Sequence, residues 1–145
     1  MNGRPQPGGE PALFRRWPEL KAKIPWLPIG QWPTPVEPLP ELGRALGAEL
    51  WVKRDDLSAS PYGGNKPRKL EFVLAYARRR GARRILTAGG FGSHHALATT
   101  LYARALGWPV SLVLFPQPPT PHACKVLRLL AALEAELYDV PRMEF

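Results

Sequence analysis

From residue 49 onward, short apolar runs alternate with stretches that have helical spacing. Strands are predicted at 49–53, 84–88 and 109–115, and helices at 66–80, 93–106 and about 121–137. Such alternation is typical of α/β proteins in which helices connect the strands of a parallel sheet. The sequence therefore predicts an α/β fold, a parallel sheet with flanking helices. A further strand is predicted to begin at Tyr138, where Pro141 interrupts it.

Two of the helices carry apolar stripes at the spacing of one helical face. The first stripe consists of Leu70, Val73, Leu74 and Ala77, and the second of Val126, Leu129, Leu130, Leu133 and Leu137. Both stripes are predicted to face the core.

The first 48 residues differ in composition because they are rich in proline. Proline fixes φ and lacks a backbone donor, so residues 25–40 are predicted to be extended or turn-like. Two short helices are predicted in this part, at 12–24 with a break at Pro18, and at 41–46. We therefore divide the chain into a proline-rich segment, 1–48, and a partial α/β domain, 49–145.

One lysine, Lys66, stands between a glycine pair and an amphipathic helix. Gly63 and Gly64 permit a tight turn and close backbone approach to a ligand. Asn65 is a good N-cap, and Pro67 suits the first helical turn. The positive end of a helix dipole favours the neutral, nucleophilic form of an amine. Lys66 is a candidate nucleophile, and spacing alone equally allows a surface lysine at the start of a basic helix.

A second glycine-rich loop follows the apolar run Ile85–Gly90 and precedes a helix. A strand, glycine turn and helix in this order expose backbone N–H groups at a helix N-terminus, which bind anions. A carboxylate and a phosphate would suit the loop equally. Ser93 is placed to cap the helix, and that structural role is the alternative to a ligand-binding one.

Three segments carry a resemblance to a known family. They read Lys-Arg-Asp-Asp-Leu-Ser at 53–58, Gly-Gly-Asn-Lys-Pro-Arg-Lys-Leu-Glu at 63–71 and Gly-Gly-Phe-Gly-Ser-His-His at 89–95. Together they resemble the 1-aminocyclopropane-1-carboxylate deaminase / D-cysteine desulfhydrase family, which consists of pyridoxal-phosphate enzymes of the tryptophan-synthase-β-like fold (fold type II). The segment at 33–42 is similar to the family's entry segment. The resemblance covers about residues 25–140.

The resemblance implies roles for five residues. Lys66 would hold pyridoxal 5'-phosphate covalently and then act as general base or acid, and Asn65 and His94 would lie beside the cofactor. Ser93 would act with Lys66 in catalysis and bind the substrate carboxylate, with His94 and His95 also at the substrate. The family usually has asparagine where this chain has His94. The implied reaction converts a small amino acid, 1-aminocyclopropane-1-carboxylate or D-cysteine, to an α-keto acid and ammonia.

The resemblance also implies a longer chain. Family members run to roughly twice this length, one domain more than the ~150-residue unit that the length suggests. No glycine follows Gly107, so the loop that holds the cofactor phosphate is expected to lie in an absent C-terminal half. The chain is therefore expected to be the N-terminal half of an enzyme that forms a homodimer in its full-length form, and to be inactive alone. The alternative is a non-catalytic remnant or interaction domain that keeps the small-domain fold.

Composition narrows the partners. The chain has 20 basic and 12 acidic residues, a formal net charge of +8. Arg78 to Arg80 fall at a predicted helix C-terminus, where the dipole favours cations, and no nucleic-acid-binding motif accompanies them. No nucleic-acid partner is therefore expected. No apolar run reaches the ~18 residues of a membrane span, and the single Cys124 suits a reducing compartment, so a cytoplasmic protein without a metal site is expected.

Overall fold

The structure of the protein is a computed structural model, and it describes residues 9–140. The chain divides into two compact units, one that ends at Phe72 and one that begins at Val73. The predicted boundary between residues 48 and 49 stays a prediction. No helix among the described residues combines the length and the apolar character of a membrane span.

The first unit consists of short elements joined by irregular chain. Its elements are α1 (Ala12–Arg16), a 3-10 turn (Pro18–Leu20), β1 (Val36–Pro38), α2 (Pro40–Leu46), β2 (Trp51–Lys53), a second 3-10 turn (Asp55–Leu57) and the start of α3 (Lys66–Arg79). The strands β1 and β2 pair antiparallel, with Val36 opposite Lys53. Gly47 ends α2 in the left-handed region, at φ 64°, a conformation that glycine adopts without strain.

One buried carboxylate organises the proline-rich part of this unit. Glu71 lies on α3 with 2% of its surface exposed. Its two oxygens accept four hydrogen bonds of 2.8–3.0 Å, from the indole N–H groups of Trp26 and Trp32 and the backbone N–H groups of Ile29 and Gly30. Backbone donors of an irregular segment have no ladder partners, and a buried donor without an acceptor is costly. Glu71 supplies the acceptors that secondary structure would otherwise provide.

In the second unit, helices connect the strands of a parallel sheet. It contains the rest of α3, then β3 (Ile85–Gly90), α4 (His94–Ala105), β4 (Val110–Phe115), α5 (Pro121–Ala132) and β5 (Glu136–Asp139). The strands form a parallel sheet in the order β3-β4-β5, with Thr87 opposite Leu112 and Leu112 opposite Leu137. This confirms the α/β class and the parallel sheet.

The core of the second unit lies on one face of this sheet. The helix α4 packs against β3, β4 and α5. Strand residues on the covered face and apolar residues of the two helices are almost fully buried: Val110, Leu112, Leu114, Leu97, Val126 and Leu130. The opposite face is open, with Leu86 68% and Tyr138 50% exposed. Alternation of the strand side chains between two faces produces this contrast.

The predicted end of the last helix is wrong. The helix α5 ends at Ala132, Glu134 takes a positive φ of 54°, and Leu137 lies in β5. Pairing of β5 with β4 satisfies the backbone of these residues and overrides the helical spacing of their side chains. Leu129 and Leu137, predicted to be core, are each 41% exposed.

Three further expectations need correction. Val73 is 56% exposed, whereas Leu70 and Leu74 are fully buried, so the buried stripe of α3 is narrower than predicted and includes Glu71. The strand predicted at 49–53 exists as β2, but it pairs with β1 and stands apart from the parallel sheet. The predicted helix 12–24 is α1 followed by a 3-10 turn, and the part of the predicted last strand beyond residue 140 lies outside the described residues.

We expect Glu71→Ala to lower the free energy of unfolding by about 3 kcal/mol, because four donors lose their acceptor. Glu71→Gln should cost less, since one carbonyl oxygen remains to accept. Urea unfolding followed by tryptophan fluorescence measures both changes. The matched control is Glu41→Ala, which removes an exposed carboxylate from α2. Equal stabilities for the Glu71→Ala and Glu41→Ala chains would contradict the organising role of Glu71.

Candidate active site

Lys66 is the first residue of α3, and Pro67 is the second, as predicted. The lysine side chain is half-buried, and its Nζ donates a hydrogen bond of 2.6 Å to Oδ1 of Asn65. The amide oxygen is a neutral acceptor, so it orients the amine without forming an ion pair. The structure thus brings together Lys66 and Asn65, two of the residues implicated by the sequence.

The loop before Lys66 rests on the preceding segment. The backbone N–H of Gly64 donates to the Asp55 carbonyl oxygen at 2.6 Å, and the hydroxyl of the fully buried Ser58 donates to the Gly64 carbonyl oxygen at 2.7 Å. A Cβ on Gly63 would overlap the carbonyl oxygen of Asp56. Gly64 has a φ of 93°, a conformation that residues other than glycine rarely adopt. The segments 53–58 and 63–71 therefore form one support for the lysine.

An ion pair ties this support to α3. The guanidinium of Arg68 donates to the Asp55 carboxylate through Nε at 3.1 Å and Nη2 at 2.6 Å, and Thr34 Oγ1 donates to it at 3.1 Å. The Arg68 hydrogen bonds hold the pKa of Asp55 below its ordinary value of 3.8, against the opposing effect of partial burial. Arg68 also lies over the Trp32 ring, 4.1 Å from its centroid. The contacts of Arg68 with the Asp55 carboxylate and with the Trp32 ring therefore hold the first turn of α3 in place.

The second loop presents unpaired donors. Ser93 caps α4 as predicted, since its Oγ accepts from the Ala96 backbone N–H at 3.2 Å. Its own backbone N–H donates to the Gly90 carbonyl oxygen at 2.9 Å. Within residues 9–140, the backbone N–H groups of Phe91 and Gly92 and the Ser93 hydroxyl proton have no acceptor. Three donors at a helix N-terminus are suited to an anion.

The glycines of this loop make room for one side chain that the sequence analysis missed. A Cβ on Gly92 would lie 2.6 Å from Nε2 of Gln117, and a Cβ on Gly90 would overlap Oε1 of the same residue. A Cβ on Gly89 would lie 2.6 Å from Oγ of Ser93. Gln117 follows the carboxyl end of β4, and ligands of parallel sheets gather at that edge. The sequence signal that could have identified Gln117 as a site residue is its position just after a predicted strand.

The three histidines take different positions. His94 is exposed, and its ring stacks on that of His122 with centroids 4.7 Å apart. His122 Nε2 lies 3.3 Å from the Gly92 carbonyl oxygen, which can only accept, so this nitrogen carries the proton if the bond forms. The ring nitrogens of His95 lie 3.4 Å from the hydroxyls of Thr87 and Thr99. His122, which no motif singled out, belongs to the surroundings of the loop.

The implicated residues thus fall into two groups. Lys66 and Asn65 lie in the first unit, and Ser93, His94 and His95 lie in the second, with Gln117 and His122. That the two groups serve one site stays a prediction. Among residues 9–140, no group of three histidine, cysteine, aspartate or glutamate side chains is placed to hold a metal ion.

Comparison with known proteins identifies the family. A family model described as pyridoxal-phosphate dependent enzyme matches residues 27–143. The chain belongs to this pyridoxal-phosphate-dependent family. The matched stretch contains both loops described above.

Relatives and a solved structure agree with this assignment. A provisionally named 1-aminocyclopropane-1-carboxylate deaminase of Pyrococcus horikoshii is 44% identical over 95 residues, which are 66% of this chain and 29% of that protein. A D-cysteine desulfhydrase of Salmonella paratyphi B is 49% identical over 75 residues, 52% of this chain and 23% of that protein. A nocardicin C-9′ epimerase of Nocardia uniformis is 41% identical over 118 residues, 81% of this chain and 35% of that protein.

Comparison with solved structures identifies the same fold. A crystal structure of an ACC deaminase homologue superposes with a TM-score of 0.78 and 34% identity, covering 94% of this chain and 40% of the other. A fungal L-serine ammonia-lyase shares the fold, with a TM-score of 0.53 and 22% identity. The chain therefore has the fold of the ACC deaminase homologue and spans about a third of the length of these relatives.

The residues of the first loop fit the family's cofactor. Pyridoxal phosphate carries an aldehyde, and a primary amine is the group that binds it covalently. Lys66 offers such an amine at a loop end, with a neutral amide as its partner. The position where a side chain of Gly64 would stand has no atom within 4 Å, so space is open directly beside the lysine's loop.

We expect the Asp55–Arg68 pair to contribute to stability in a pH-dependent way. Because the pKa of Asp55 is lowered in the folded chain, its contribution is complete above about pH 4 and is lost as the pH falls through the lowered pKa. Arg68→Met should remove about 0.5 kcal/mol near neutral pH, since the pair is partly exposed, and should flatten the loss of stability below pH 4.

Urea unfolding at a series of pH values from about 2 to 7 tests this expectation. Arg44→Met, which removes an exposed cation from α2, is the control. An acid limb that is as steep in the Arg68→Met chain as in the Arg44→Met chain would show that Arg68 does not govern the Asp55 pKa.

Proposed function

We propose that this chain supplies the cofactor lysine and the substrate-carboxylate loop of a pyridoxal-phosphate-dependent deaminase or lyase. The substrate is a small amino acid, 1-aminocyclopropane-1-carboxylate or D-cysteine, and the products are an α-keto acid and ammonia, with sulfide from D-cysteine. The observation that carries the proposal is the placement of the Lys66 amine, at the head of α3 on a glycine loop supported by Asp55 and Ser58.

Lys66 would hold the cofactor through its ε-amine. When bound, pyridoxal phosphate supplies an electron sink for negative charge at the substrate α-carbon. Asn65 keeps the amine in place through its Oδ1 and remains a neutral partner throughout. The same amine can take up and return a proton at Nζ, as a general base and acid does. The rigid support of the glycine loop limits the positions from which that transfer occurs.

The Ser93 loop would bind the substrate carboxylate. The N–H groups of Phe91 and Gly92 and the hydroxyl of Ser93 are donors without acceptors among the described residues, and a carboxylate offers acceptors for all three. The Ser93 Oγ accepts from the Ala96 backbone N–H, and its hydroxyl proton is left to donate to the carboxylate. Charge-assisted hydrogen bonds of this kind are stronger than neutral ones.

His94 and His95 complete the proposed site. His94 would lie beside the cofactor and substrate, with its ring steadied by the stack on His122. His95 would contribute from the side of the substrate, and its contacts with Thr87 and Thr99 limit the rotation of its ring. The resemblance implies an asparagine at this position, and the imidazole of His94 can also donate a hydrogen bond there.

We expect borohydride reduction in the presence of pyridoxal phosphate to attach a pyridoxyl group to Lys66. Peptide mapping by mass spectrometry identifies the labelled lysine. Lys69→Arg, one helical turn further along α3, should leave the label in place, whereas Lys66→Arg should remove it. Label on Lys53, Lys69 or Lys125 instead of Lys66 would overturn the assignment.

We expect a chimera to show the activity. Residues 27–143 of this chain replace the matching part of the Pyrococcus horikoshii relative, and release of α-keto acid is measured with 1-aminocyclopropane-1-carboxylate and with D-cysteine. Lys66→Ala should reduce kcat by at least about 100-fold, since the proton-transfer group is lost. Ser93→Ala should raise KM more than it lowers kcat, because it removes a carboxylate donor.

The outcomes of this assay separate the alternatives. Activity with one substrate alone selects that substrate. Interconversion of an amino acid's stereoisomers without release of a keto acid would favour an epimerase, the class named for the Nocardia uniformis relative. A folded chimera that binds the cofactor at Lys66 and turns over neither substrate would contradict the proposed reaction while leaving the cofactor lysine in place.

A further inference from the structure

The first unit contains a cavity of about 450 Å³, which is within the size range of small-molecule sites. Its walls include the side chains of Leu13 and Phe72 and the ring of Trp32. Arg15, Lys53 and Arg68 also line it, and Lys66 does not. The proposed reaction therefore makes no use of this cavity.

The carboxylates of the cavity wall already have hydrogen-bond or ion-pair partners. Glu71 accepts four N–H donors, and Glu10 pairs with Lys21 at 2.5 Å. Of the three cations, Arg68 is paired as well, with the Asp55 carboxylate. Glu10 and Arg68 are therefore already in ion pairs, and the oxygens of Glu71 already accept four hydrogen bonds.

Among residues 9–140, no carboxylate is paired with Arg15 or Lys53. The guanidinium of Arg15 makes no hydrogen bond or ion pair with these residues. The Lys53 ammonium donates to the carbonyl oxygen of Thr34, which is uncharged. Its charge acts on Asp55, but that carboxylate takes its hydrogen bonds from Arg68 and Thr34. The two cations Arg15 and Lys53 outweigh the one carboxylate, Glu71, that lines the cavity without an ion-pair partner among the described residues. An apolar cavity with this net positive charge is complementary to an anion with an apolar body.

We propose that this cavity binds a small organic acid whose body is an aromatic ring or a branched alkyl group. The body lies against the Trp32 ring, Phe72 and Leu13, and the carboxylate faces Arg15 and Lys53. A guanidinium can bind a carboxylate through two parallel hydrogen bonds, which adds orientation to charge attraction. The proposal is independent of the reaction proposed above.

The test uses three probes of one shape and different charge, namely phenylacetate, phenylacetamide and 2-phenylethylamine. Binding to the full chain is followed in ¹H–¹⁵N NMR spectra, with the Trp32 indole N–H as reporter, because it donates to Glu71 at the cavity. Trp32→Phe identifies that resonance. We expect saturable shifts with phenylacetate, affinity about tenfold lower or weaker for phenylacetamide, and no saturation with 2-phenylethylamine.

Paired variants locate the carboxylate. Arg15→Met and Lys53→Met should each weaken phenylacetate binding severalfold. The controls are Arg16→Met and Lys69→Met, which should leave binding unchanged because Arg16 and Lys69 do not line the cavity. If a variant fails to fold, the comparison of the three probes on the unaltered chain still decides. Equal affinity for acid and amide, or no saturable shift, would overturn the proposal. Binding that appears only after removal of residues 1–8 would overturn it too, since the chain itself would then be the occupant.

Discussion

The fold of the first unit depends on the hydrogen bonds that the Glu71 carboxylate accepts. A proline-rich segment cannot satisfy its own donors in a helix or sheet, and two of its tryptophans add indole N–H groups that also need acceptors. One buried side chain on α3 meets four of these needs. Because Lys66 starts the same helix five residues earlier, the interaction that anchors the segment also fixes the helix from which the Lys66 amine projects.

Several residues of the segments 53–58 and 63–71 support the Lys66 amine through hydrogen bonds of the loop that carries it. Asp55 and Ser58 hold the backbone of Gly64, and Arg68 returns to Asp55 from the first turn of α3. A loop that is bonded at its centre and clamped at its end has few alternative conformations. Pre-organisation of this kind is what proton transfer at a single nitrogen requires, since small misplacements reduce the rate steeply. The position of the Lys66 amine therefore depends on the supporting residues as much as on the lysine itself.

Short sequence patterns correctly predicted the elements whose formation depends mainly on residues close together in the chain. The start of α3 at Lys66, the cap at Ser93 and the parallel sheet all follow from spacing, glycine placement and capping chemistry. Interactions between distant segments were not predictable in this way. The contacts of Glu71 span about 40 residues, and Gln117 and His122 reach the Ser93 loop only through the register of β3 with β4. The helical spacing that extended into Leu137 lost to strand pairing, which no local pattern reveals.

The carboxylate binding proposed for the Ser93 loop would not select among amino acids, because every α-amino acid carries that group. A thiol and a cyclopropane ring differ in polarity and in shape. Discrimination between the two substrates therefore needs side chains that contact these differing groups and not the shared carboxylate. Among the described residues, His94, His122 and Gln117 are the polar side chains gathered around the loop. The stack of His94 on His122 fills space with two flat rings where the family usually has one amide. Under the proposed function, we therefore expect the choice of substrate to depend on a pair of residues from different helices, α4 and α5. Replacing His94 alone would leave His122 to occupy part of the same space.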